Sequence, residues 1–411
     1  MTKWQEVRLG DICIQITDGT HSTVKDCESG DCYLLSCKNI KNGNIEIGKN
    51  ERKIDRHTLE ELRKRTKTAK GDVLLSSVGT IGETAVIKLE NPNYEFQRSV
   101  AIFKPNLNFI TSEFLYYSLN SRKDILQHSA EGAVQQCLFI TPLKDFPISL
   151  PPIDVQKKIA GVLGALDDKI ELNNRINNNL EQQAQALFNN IYNTNNNGTL
   201  ADIVDVVESG SRPKGGAINK GIPSIGAENI EKFGVYDYSK EKFIDEIFYE
   251  KMKHGKVAAG DVLLYKDGAY TGKVSLALDG YPHRICAVNE HVFIIRGKSD
   301  VTSQFFLYFC LSDEKNKNYL HTLASSKAAQ PGLNQSELLG LPIFIPASAV
   351  VKNFTLSVAP MMHKIASNAI ENNKLSALRD VLLPKLMSGE IDVSNVDISA
   401  LTSTDKLSFT E

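Results

Sequence analysis

Apolar side chains recur at alternating steps of four and three residues between Pro151 and Tyr192. The series comprises Ile159, Leu163, Leu166, Ile170, Leu180, Ala184, Leu187 and Ile191. Such spacing is the heptad seam of a coiled coil, and it predicts one long helix. Pro151 and Pro152 suit a helix start, because the first-turn N–H groups have no intrahelical partner. The two central seam positions are Asn173 and Asn177.

A second helix with the same seam follows about 195 residues later in the chain. Its seam comprises Phe354, Val358, Met361, Ile365, Asn368, Asn372, Leu375, Leu382 and Leu386. An antiparallel pairing would set Asn173 opposite Asn372 and Asn177 opposite Asn368. Buried Asn pairs cost stability, but they penalise wrong registers, in which Asn would face Leu.

The same antiparallel register contains one mismatch, since it sets Leu166 opposite Arg379. The neighbouring Leu378 is expected to fill that place. The alternative is that the two helices are independent and that each packs on its own globular domain.

The repeat extends beyond the helices. Gly71–Leu75 and Gly260–Leu264 are identical, and Phe114–Tyr117 resembles Phe306–Phe309. In the first copy the pattern predicts strands at 73–77, 84–89 and 100–103 and a helix at 112–119. The second copy predicts the equivalent helix at 303–311. The fold class is therefore α+β, with two duplicated α/β domains separated by two long helices that form an antiparallel coiled coil with pseudo-twofold symmetry.

Length and composition fit a protein of two or three domains. The chain has 411 residues, a net charge of −2 and seven cysteines. An odd number of clustered cysteines favours reduced thiols and a cytoplasmic protein over a disulfide framework. We expect no membrane association, because no signal peptide opens the sequence and no apolar run approaches twenty residues.

Sequence motifs for catalysis or metal binding are absent. There is no phosphate-binding loop, no His-Glu-x-x-His and no Cys-x-x-Cys. Cys27, Cys32 and Cys37 are five residues apart near His21, which is not zinc-site spacing. The Asn-Pro-Asn-Tyr at 91–94 resembles a DNA adenine methyltransferase motif, but it lacks the second proline and is typical of a turn. We therefore predict no catalytic residues, no metal and no bound cofactor.

One segment is locally basic. Residues 49–70 contain nine Lys or Arg and four Asp or Glu, a net charge of +5. Such a segment suits contacts with nucleic-acid phosphates, and Arg63, Arg65 and Lys67 are its candidates. The alternative is an ordinary solvated helix face.

Reading bases requires forked or flat hydrogen-bonding side chains on loops. In the first half the candidates are Thr20, His21, Ser22, Lys38, Asn39, Ser76, Ser77, Thr80, Gln135 and Gln136. In the second half they are Arg212, Lys214, Asn229, Lys266, Tyr270 and Gln330. They recur at matching places in the two copies, although gene duplication alone would also produce that recurrence.

Several stretches in this order resemble the specificity subunit of type I restriction–modification enzymes. They are Thr17–His21, Lys70–Leu75, Ile148–Pro152 followed by Gln156–Ile159, Asp168–Asn173, and Leu378–Asp380 with Leu383–Glu390. The resemblance covers nearly the whole chain. It implies target recognition domains at 1–150 and 196–346, conserved helical spacers at 151–195 and 347–390, and a polar, loosely ordered tail at 391–411.

The resemblance also implies a function and partners. Each recognition domain would read one half of a bipartite target in double-stranded DNA. The helices would set the spacing and dock two methyltransferase subunits, and restriction/translocase subunits would join the complex. S-adenosylmethionine would bind the methyltransferase partners. Arg212-Pro213 replaces Thr20-His21, so the two halves are expected to read different bases.

Two other functions remain open from the sequence. One is a self-contained DNA methyltransferase or nuclease with its own recognition domain, for which a cofactor or metal motif would be needed. The other is a coiled-coil scaffold that does not bind DNA, which would show no steep salt dependence of DNA binding.

Overall fold

The computed structural model describes residues 4–130, 136–193, 195–326 and 332–397. These residues form two compact units. Unit 1 contains the chain up to Asp168 together with the residues from Ser376 onward, and unit 2 contains Lys169–Leu375. Each long helix therefore contributes one part to each unit. The sequence instead predicted the two helices as spacer segments distinct from the two domains.

The first half of the chain begins with short strands and ends with a long helix. Its strands are β1 (Gln5–Arg8), β2 (Cys13–Asp18), β3 (Cys32–Leu35), β4 (Ile40–Lys41), β5 (Asn44–Ile45), β6 (Lys53–Ile54), β7 (Val73–Ser76), β8 (Thr84–Val86), β9 (Tyr94–Phe96), β10 (Val100–Pro105) and β11 (Pro147–Leu150). Its helices are α1 (Leu9–Ile12), α2 (Arg56–Thr66), α3 (Ser112–Asn120), α4 (Lys123–His128), α5 (Ile140–Asp145) and α6 (Ile153–Ile191).

The second half repeats this order. Its strands are β12 (Gly198–Thr199), β13 (Val204–Ser209), β14 (Ile222–Ile225), β15 (Ile230–Lys232), β16 (Val235–Tyr236), β17 (Phe243–Ile244), β18 (Val262–Tyr265), β19 (Val274–Leu276), β20 (Ala287–Val288), β21 (Val292–Gly297) and β22 (Pro342–Ile343). Its helices are α7 (Leu200–Ile203), α8 (Glu246–Lys251), α9 (Gln304–Ser312), α10 (Glu314–Ser325), α11 (Gln335–Leu339) and α12 (Ser348–Met387).

Sheet topology is the same in the two units. Unit 1 contains an antiparallel sheet of order β2-β10-β7-β8, and unit 2 contains its equivalent, β13-β21-β18-β19. A smaller sheet, β6-β3-β9 or β17-β14-β20, combines one antiparallel and one parallel pairing. The predicted duplicated α+β fold is confirmed.

The central strands are apolar on both faces because each face is covered. In β7, Val73 and Leu75 belong to the main core of unit 1, whereas Leu74 packs into a second cluster with Ile87 and Phe96. Helix α3 covers the first face and begins at a cap in which Thr111 accepts from the backbone N–H of Phe114. In unit 2, α9 occupies the equivalent place and Ser303 is the cap.

Within unit 1, the start of α6 packs with the end of α12. Ile159, Leu163 and Leu386 are in the same core. The expectation that Leu378 fills the place opposite Leu166 is wrong, because Leu378 is 47% exposed. Arg379 stays in place and donates to Asp167 at 2.9 Å, so an ion pair replaces an apolar contact.

The predicted loose tail also needs correction at its beginning. Val393 is buried in the core of unit 1, and Ile391 and Val396 pack against it. These three apolar side chains anchor a segment whose overall composition is polar. Residues 398–411 lie outside the described part of the chain.

Within unit 2, the remaining parts of α6 and α12 run antiparallel. Asn173 donates to Asn372 at 2.9 Å and Asn368 donates to Asn177 at 2.8 Å, which are the two pairs that the seam predicts. One seam position differs, since Phe188 is fully buried and the predicted Leu187 is only half-buried. Phe188 stacks on Phe309, with ring centroids 5.7 Å apart.

Candidate nucleic-acid interface

Four loop segments meet at the ends of the strands in unit 1. Three of them follow the strands β2, β7 and β9, and the fourth precedes helix α5. Backbone hydrogen bonds fix them together: Arg98 N–H donates to Thr20 O at 3.0 Å, and Ser77 N–H donates to Ser99 O at 2.9 Å. Leu138 N–H then donates to Ser77 O at 2.9 Å. We call this group, residues 19–22, 77–80, 97–99 and 136–138, loop cluster 1.

Unit 2 gathers the equivalent loops, and the bonds made by Lys266 and Leu333 match those made by Ser77 and Leu138 in unit 1, whereas the bond made by Gly210 differs. Gly210 N–H donates to Asn289 O at 3.2 Å, and Lys266 N–H donates to His291 O at 3.0 Å. Leu333 N–H donates to Lys266 O at 2.8 Å. Residues 210–214, 266–270, 289–291 and 332–333 are loop cluster 2.

Both clusters require a glycine at the end of the first strand of the sheet. A Cβ on Gly19 would lie 2.2 Å from the carbonyl oxygen of Phe96, and a Cβ on Gly210 would lie 1.6 Å from that of Val288. No side chain fits at such distances. Gly19 and Gly210 are therefore equivalent, which places Arg212 where His21 stands in unit 1.

Two of the predicted base-reading residues have a structural role instead. Asn39 and Asn229 are 2% and 1% exposed. Asn39 accepts from Ser36 N–H and donates to Glu46 O, and Asn229 accepts from Gly226 N–H and donates to Asp237 O. Because each amide is buried and its hydrogen bonds hold a turn, the prediction that these residues contact bases is corrected.

The serines at the end of β7 are also corrected. Ser76 and Ser77 are 0% and 2% exposed. The Ser76 hydroxyl donates to Thr80 O and accepts from Glu83 N–H, so it closes the β7–β8 turn. The adjacent Thr80 side chain is exposed.

The other described candidates in unit 1 include several solvent-accessible side chains. His21, Ser22, Lys38 and Gln136 are exposed, and Thr20 is half-buried. His21 lies 2.6 Å from Asp18, and Lys38 pairs with Glu51 at 3.1 Å. Thr20 Oγ1 accepts from Ser22 N–H at 3.1 Å, which fixes the turn.

The basic segment is less cationic in the fold than along the sequence. Arg52, Arg56 and Lys70 pair with Asp26, Asp31 and Glu90, which all lie outside it. In contrast, Lys49, Lys53 and Lys67 form no ion pair with any residue of the described ranges, so they carry most of its free positive charge.

Arg63 and Arg65 hold the structure of unit 1. Arg63 donates to the carbonyl oxygens of Pro92 and Tyr94. Arg65 donates to Asp18 O at 2.6 Å and to Gly19 O, which places α2 against loop cluster 1. Their contacts with phosphates remain a prediction.

In unit 2, Arg212, Lys214 and Tyr270 are exposed. Lys273 lies over the Tyr270 ring, 4.6 Å from its centroid. Lys266 is largely covered and pairs with Asp267 at 2.9 Å, and Asp267 also contacts His291 at 2.7 Å. Gln135 and Gln330 lie outside the described residues.

Sequence reasoning missed one loop in each cluster. Residues Gln97–Ser99 connect β9 to β10, and Asn289–His291 connect β20 to β21. A sequence signal was present, because an offset of 192 aligns two polar triplets, Gln-Arg-Ser and Asn-Glu-His, between apolar strands.

The described residues offer little other site chemistry. They include no group of three or more His, Cys, Asp or Glu placed to hold a metal ion. The seven cysteines are free thiols. Among the helices of these ranges, none combines the length and the apolar character that crossing a membrane would need.

Comparison with known proteins gives a consistent result. Residues 1–182 match the model of the type I restriction modification DNA specificity domain. The chain is 28% identical to the type I restriction enzyme MjaIX specificity subunit of Methanocaldococcus jannaschii, over 96% of this chain and 94% of the relative. It is 25% identical to the HindI specificity subunit of Haemophilus influenzae, over 95% and 100%.

A solved structure supports the fold. The S subunit of the type I restriction–modification system from M. genitalium superposes with a TM-score of 0.58 at 15% identity, covering 93% of this chain and 96% of that one. The sequence matches extend over nearly the full chain, and they show that it is similar to specificity subunits of type I restriction enzymes, with residues 1–182 matching the DNA specificity domain of that family.

Proposed function

We propose that this chain is the DNA-recognition subunit of a type I restriction–modification complex and that each unit reads one half of a bipartite target. One observation carries the proposal. Matching backbone hydrogen bonds, made by Ser77, Leu138 and Gln97 in unit 1 and by Lys266, Leu333 and Asn289 in unit 2, hold equivalent loops in both units, but the exposed side chains on those loops differ. A shared scaffold with different polar side chains is what reading two different half-sites requires.

The exposed residues provide suitable chemistry. In loop cluster 1, His21, Thr80 and Gln136 offer hydrogen-bonding groups for base edges. In loop cluster 2, Arg212 and Lys214 offer cationic donors, and Tyr270 offers an aromatic ring. Lys49, Lys53 and Lys67 of unit 1 would contact phosphates, which position a protein on DNA without reading sequence.

We assign the chemical steps to partner subunits. Two methyltransferase subunits, which would carry S-adenosylmethionine, would dock on the helical segments, and restriction/translocase subunits would complete the assembly. The long helices would set the distance between the half-sites. A DNA substrate of this kind implies a cytoplasmic complex.

The test is to express the chain with its cognate partners and map methylated positions in the DNA of the host. We expect one bipartite motif, and we expect exchange of residues 210–214, 266–270 and 289–291 for those of a relative to change one half of it only. The chain alone should neither methylate nor cut DNA. Methyl transfer by the chain alone would support a self-contained enzyme, and an absence of salt-dependent duplex binding by the complex would support a scaffold.

A further inference from the structure

The β9–β10 and β20–β21 loops occupy the same position on the two scaffolds. Gln97 N–H donates to Leu35 O at 2.8 Å, and Asn289 N–H donates to Ile225 O at 2.9 Å. The next residue in each loop is therefore equivalent. It is Arg98 in unit 1 and Glu290 in unit 2, so the two units present opposite charges at one structural position.

Arg98 is fixed by its backbone and free at its side chain. Its N–H donates to Thr20 O at 3.0 Å, and its side chain is exposed. Within the described part of the chain, its guanidinium forms no hydrogen bond and no ion pair. Asp18, which precedes loop cluster 1, pairs with Arg65 at 3.3 Å and with His21 and forms no ion pair with Arg98.

Glu290 is held by two cationic or potentially cationic groups. Arg212 lies 3.9 Å from its carboxylate and His291 lies 3.5 Å from it. The Glu290 side chain is 34% exposed. Its carboxylate therefore remains accessible beside a cationic and a potentially cationic side chain.

The hydrogen-bonding groups of DNA limit what the Arg98 guanidinium and the Glu290 carboxylate can contact. A guanidinium fits the adjacent O6 and N7 acceptors of guanine through two parallel hydrogen bonds. A carboxylate is repelled by phosphates, so its place in a DNA interface is opposite an amino group, and cytosine N4 provides one in the major groove.

We propose that Arg98 reads a guanine in the half-site of unit 1 and that Glu290 reads a cytosine in the half-site of unit 2. This inference rests on the proposed function and assigns the specificity-determining residues of its two reading surfaces. It also explains why one loop carries opposite charges in two copies of one scaffold, since the two bases offer opposite hydrogen-bonding groups there.

The test uses the complete methyltransferase complex and a library of duplexes with randomised half-sites. Arg98→Ala should lower discrimination at one guanine of the first half-site by roughly 5- to 150-fold and leave the second half-site unchanged. Glu290→Gln should replace the cytosine at one position of the second half-site by adenine, because a carboxamide pairs with adenine N6 and N7. Methylated products are identified by sequencing.

Matched controls are Lys144→Ala and Glu250→Gln, which change exposed charged residues on α5 and α8, outside the loop clusters. Both should leave the motif unchanged, and melting temperatures establish that all variants fold. If Arg98→Ala weakens methylation of every sequence equally, Arg98 contacts phosphate and the inference is wrong. It is also wrong if both variants keep the parental motif at parental efficiency. If the unsubstituted complex methylates without sequence preference, the proposed function itself fails.

Discussion

Asn368 donates a hydrogen bond from Nδ2 to Oδ1 of Asn177 at 2.8 Å, between α12 and α6 within unit 2. Asn368 is fully buried and Asn177 is 8% exposed. A hydrogen-bonded pair of this kind is compatible with an apolar seam only when the two residues face each other, because a shift in register would oppose each Asn to a hydrophobic side chain.

Asn177→Leu should therefore destabilise the protein by about 1–3 kcal/mol, since it leaves the buried amide of Asn368 without its partner. The double variant Asn177→Leu/Asn368→Leu should recover most of that loss. Chemical unfolding of the two single variants and the double variant gives the coupling energy. The exposed Asn190→Ala serves as the control, and a double variant whose loss equals the sum of the single losses would contradict the pairing argument.

A second polar contact, within unit 1, connects three groups. Asp167 accepts from Arg379 at 2.9 Å and from the Tyr117 hydroxyl at 2.7 Å. Burial raises the pKa of Tyr117, and the charge of Asp167 raises that pKa further, so the tyrosine stays a hydrogen-bond donor.

Arg379→Met should cost about 1–2 kcal/mol of unfolding free energy, because it leaves a partly buried carboxylate without its cation. Adding Asp167→Asn should restore part of the loss, since the uncompensated charge is then removed. Thermal unfolding measures both effects. Asp380→Asn, at a side chain that is 65% exposed, is the control and should change stability by less than about 0.5 kcal/mol.

Glu95 of β9 makes the stability of unit 1 depend on pH. It is fully buried and accepts hydrogen bonds from Thr66 at 2.9 Å and Thr68 at 2.8 Å. Burial raises the pKa of this carboxyl, although the hydrogen bonds oppose the shift. The folded protein thus binds this proton more tightly than the unfolded chain does. The stabilisation is fully present below the unfolded pKa and is lost as pH rises through the folded pKa.

Glu95→Gln removes this titration. The unfolding free energy of the variant, relative to that of the parent, should therefore increase as pH rises from about 4 to about 7.5. Urea unfolding across this range measures the difference. A difference that stays constant, or that decreases with pH, would show that the carboxyl is not favoured in its protonated form in the fold.

The parts of the fold that follow a simple period could be predicted from the sequence. The Asn pairs, the duplicated sheets and the caps of α3 and α9 depend on local spacing and on the repeat. The partner of Arg379 could not be predicted, because Asp167 lies one residue after the seam position Leu166 and the seam pattern describes only apolar contacts. The residues beyond Gly389 were assigned to a loose tail because their composition is polar, although Val393 reaches the core.

The candidate site was harder to predict. The sequence identified polar residues on loops, but it could not show which of them are accessible to DNA. Ser76 and Asn39 are buried, whereas His21 and Gln136 are exposed. A buried hydroxyl or amide that closes a turn has the same sequence signature as one that faces solvent. Arg98 lies in a short polar triplet between two strands, and although the repeat aligns this triplet with the one that contains Glu290, the three-dimensional equivalence of the two loops is what indicates a role.

The basic segment predicts a salt-dependent effect on DNA binding. Lys49→Glu combined with Lys67→Glu should weaken binding of all sequences alike and flatten the slope of log K against log salt by about 0.9 for each phosphate that is no longer neutralised. Arg63→Glu and Arg65→Glu should instead lower stability, because these arginines hold backbone carbonyls. Fluorescence anisotropy of the complex on duplex DNA at several salt concentrations measures the slope. A changed base preference at unchanged slope would place the lysines on base edges.

The last prediction concerns helix length. Seven residues added to α6 after Asp168 and seven added to α12 after Leu375 would lengthen both helices by about 10 Å. The insertions leave the Asn177–Asn368 pair in unit 2 and the Asp167–Arg379 pair in unit 1 intact, so both units should fold. If the helices set the half-site spacing, the gap in the methylated motif should grow by about three base pairs while both half-sites keep their bases.

An insertion in α6 alone is the control, because it breaks the register between the helices and should abolish assembly or methylation. A folded, active double-insertion variant that keeps the parental gap would show that the helices do not measure the distance.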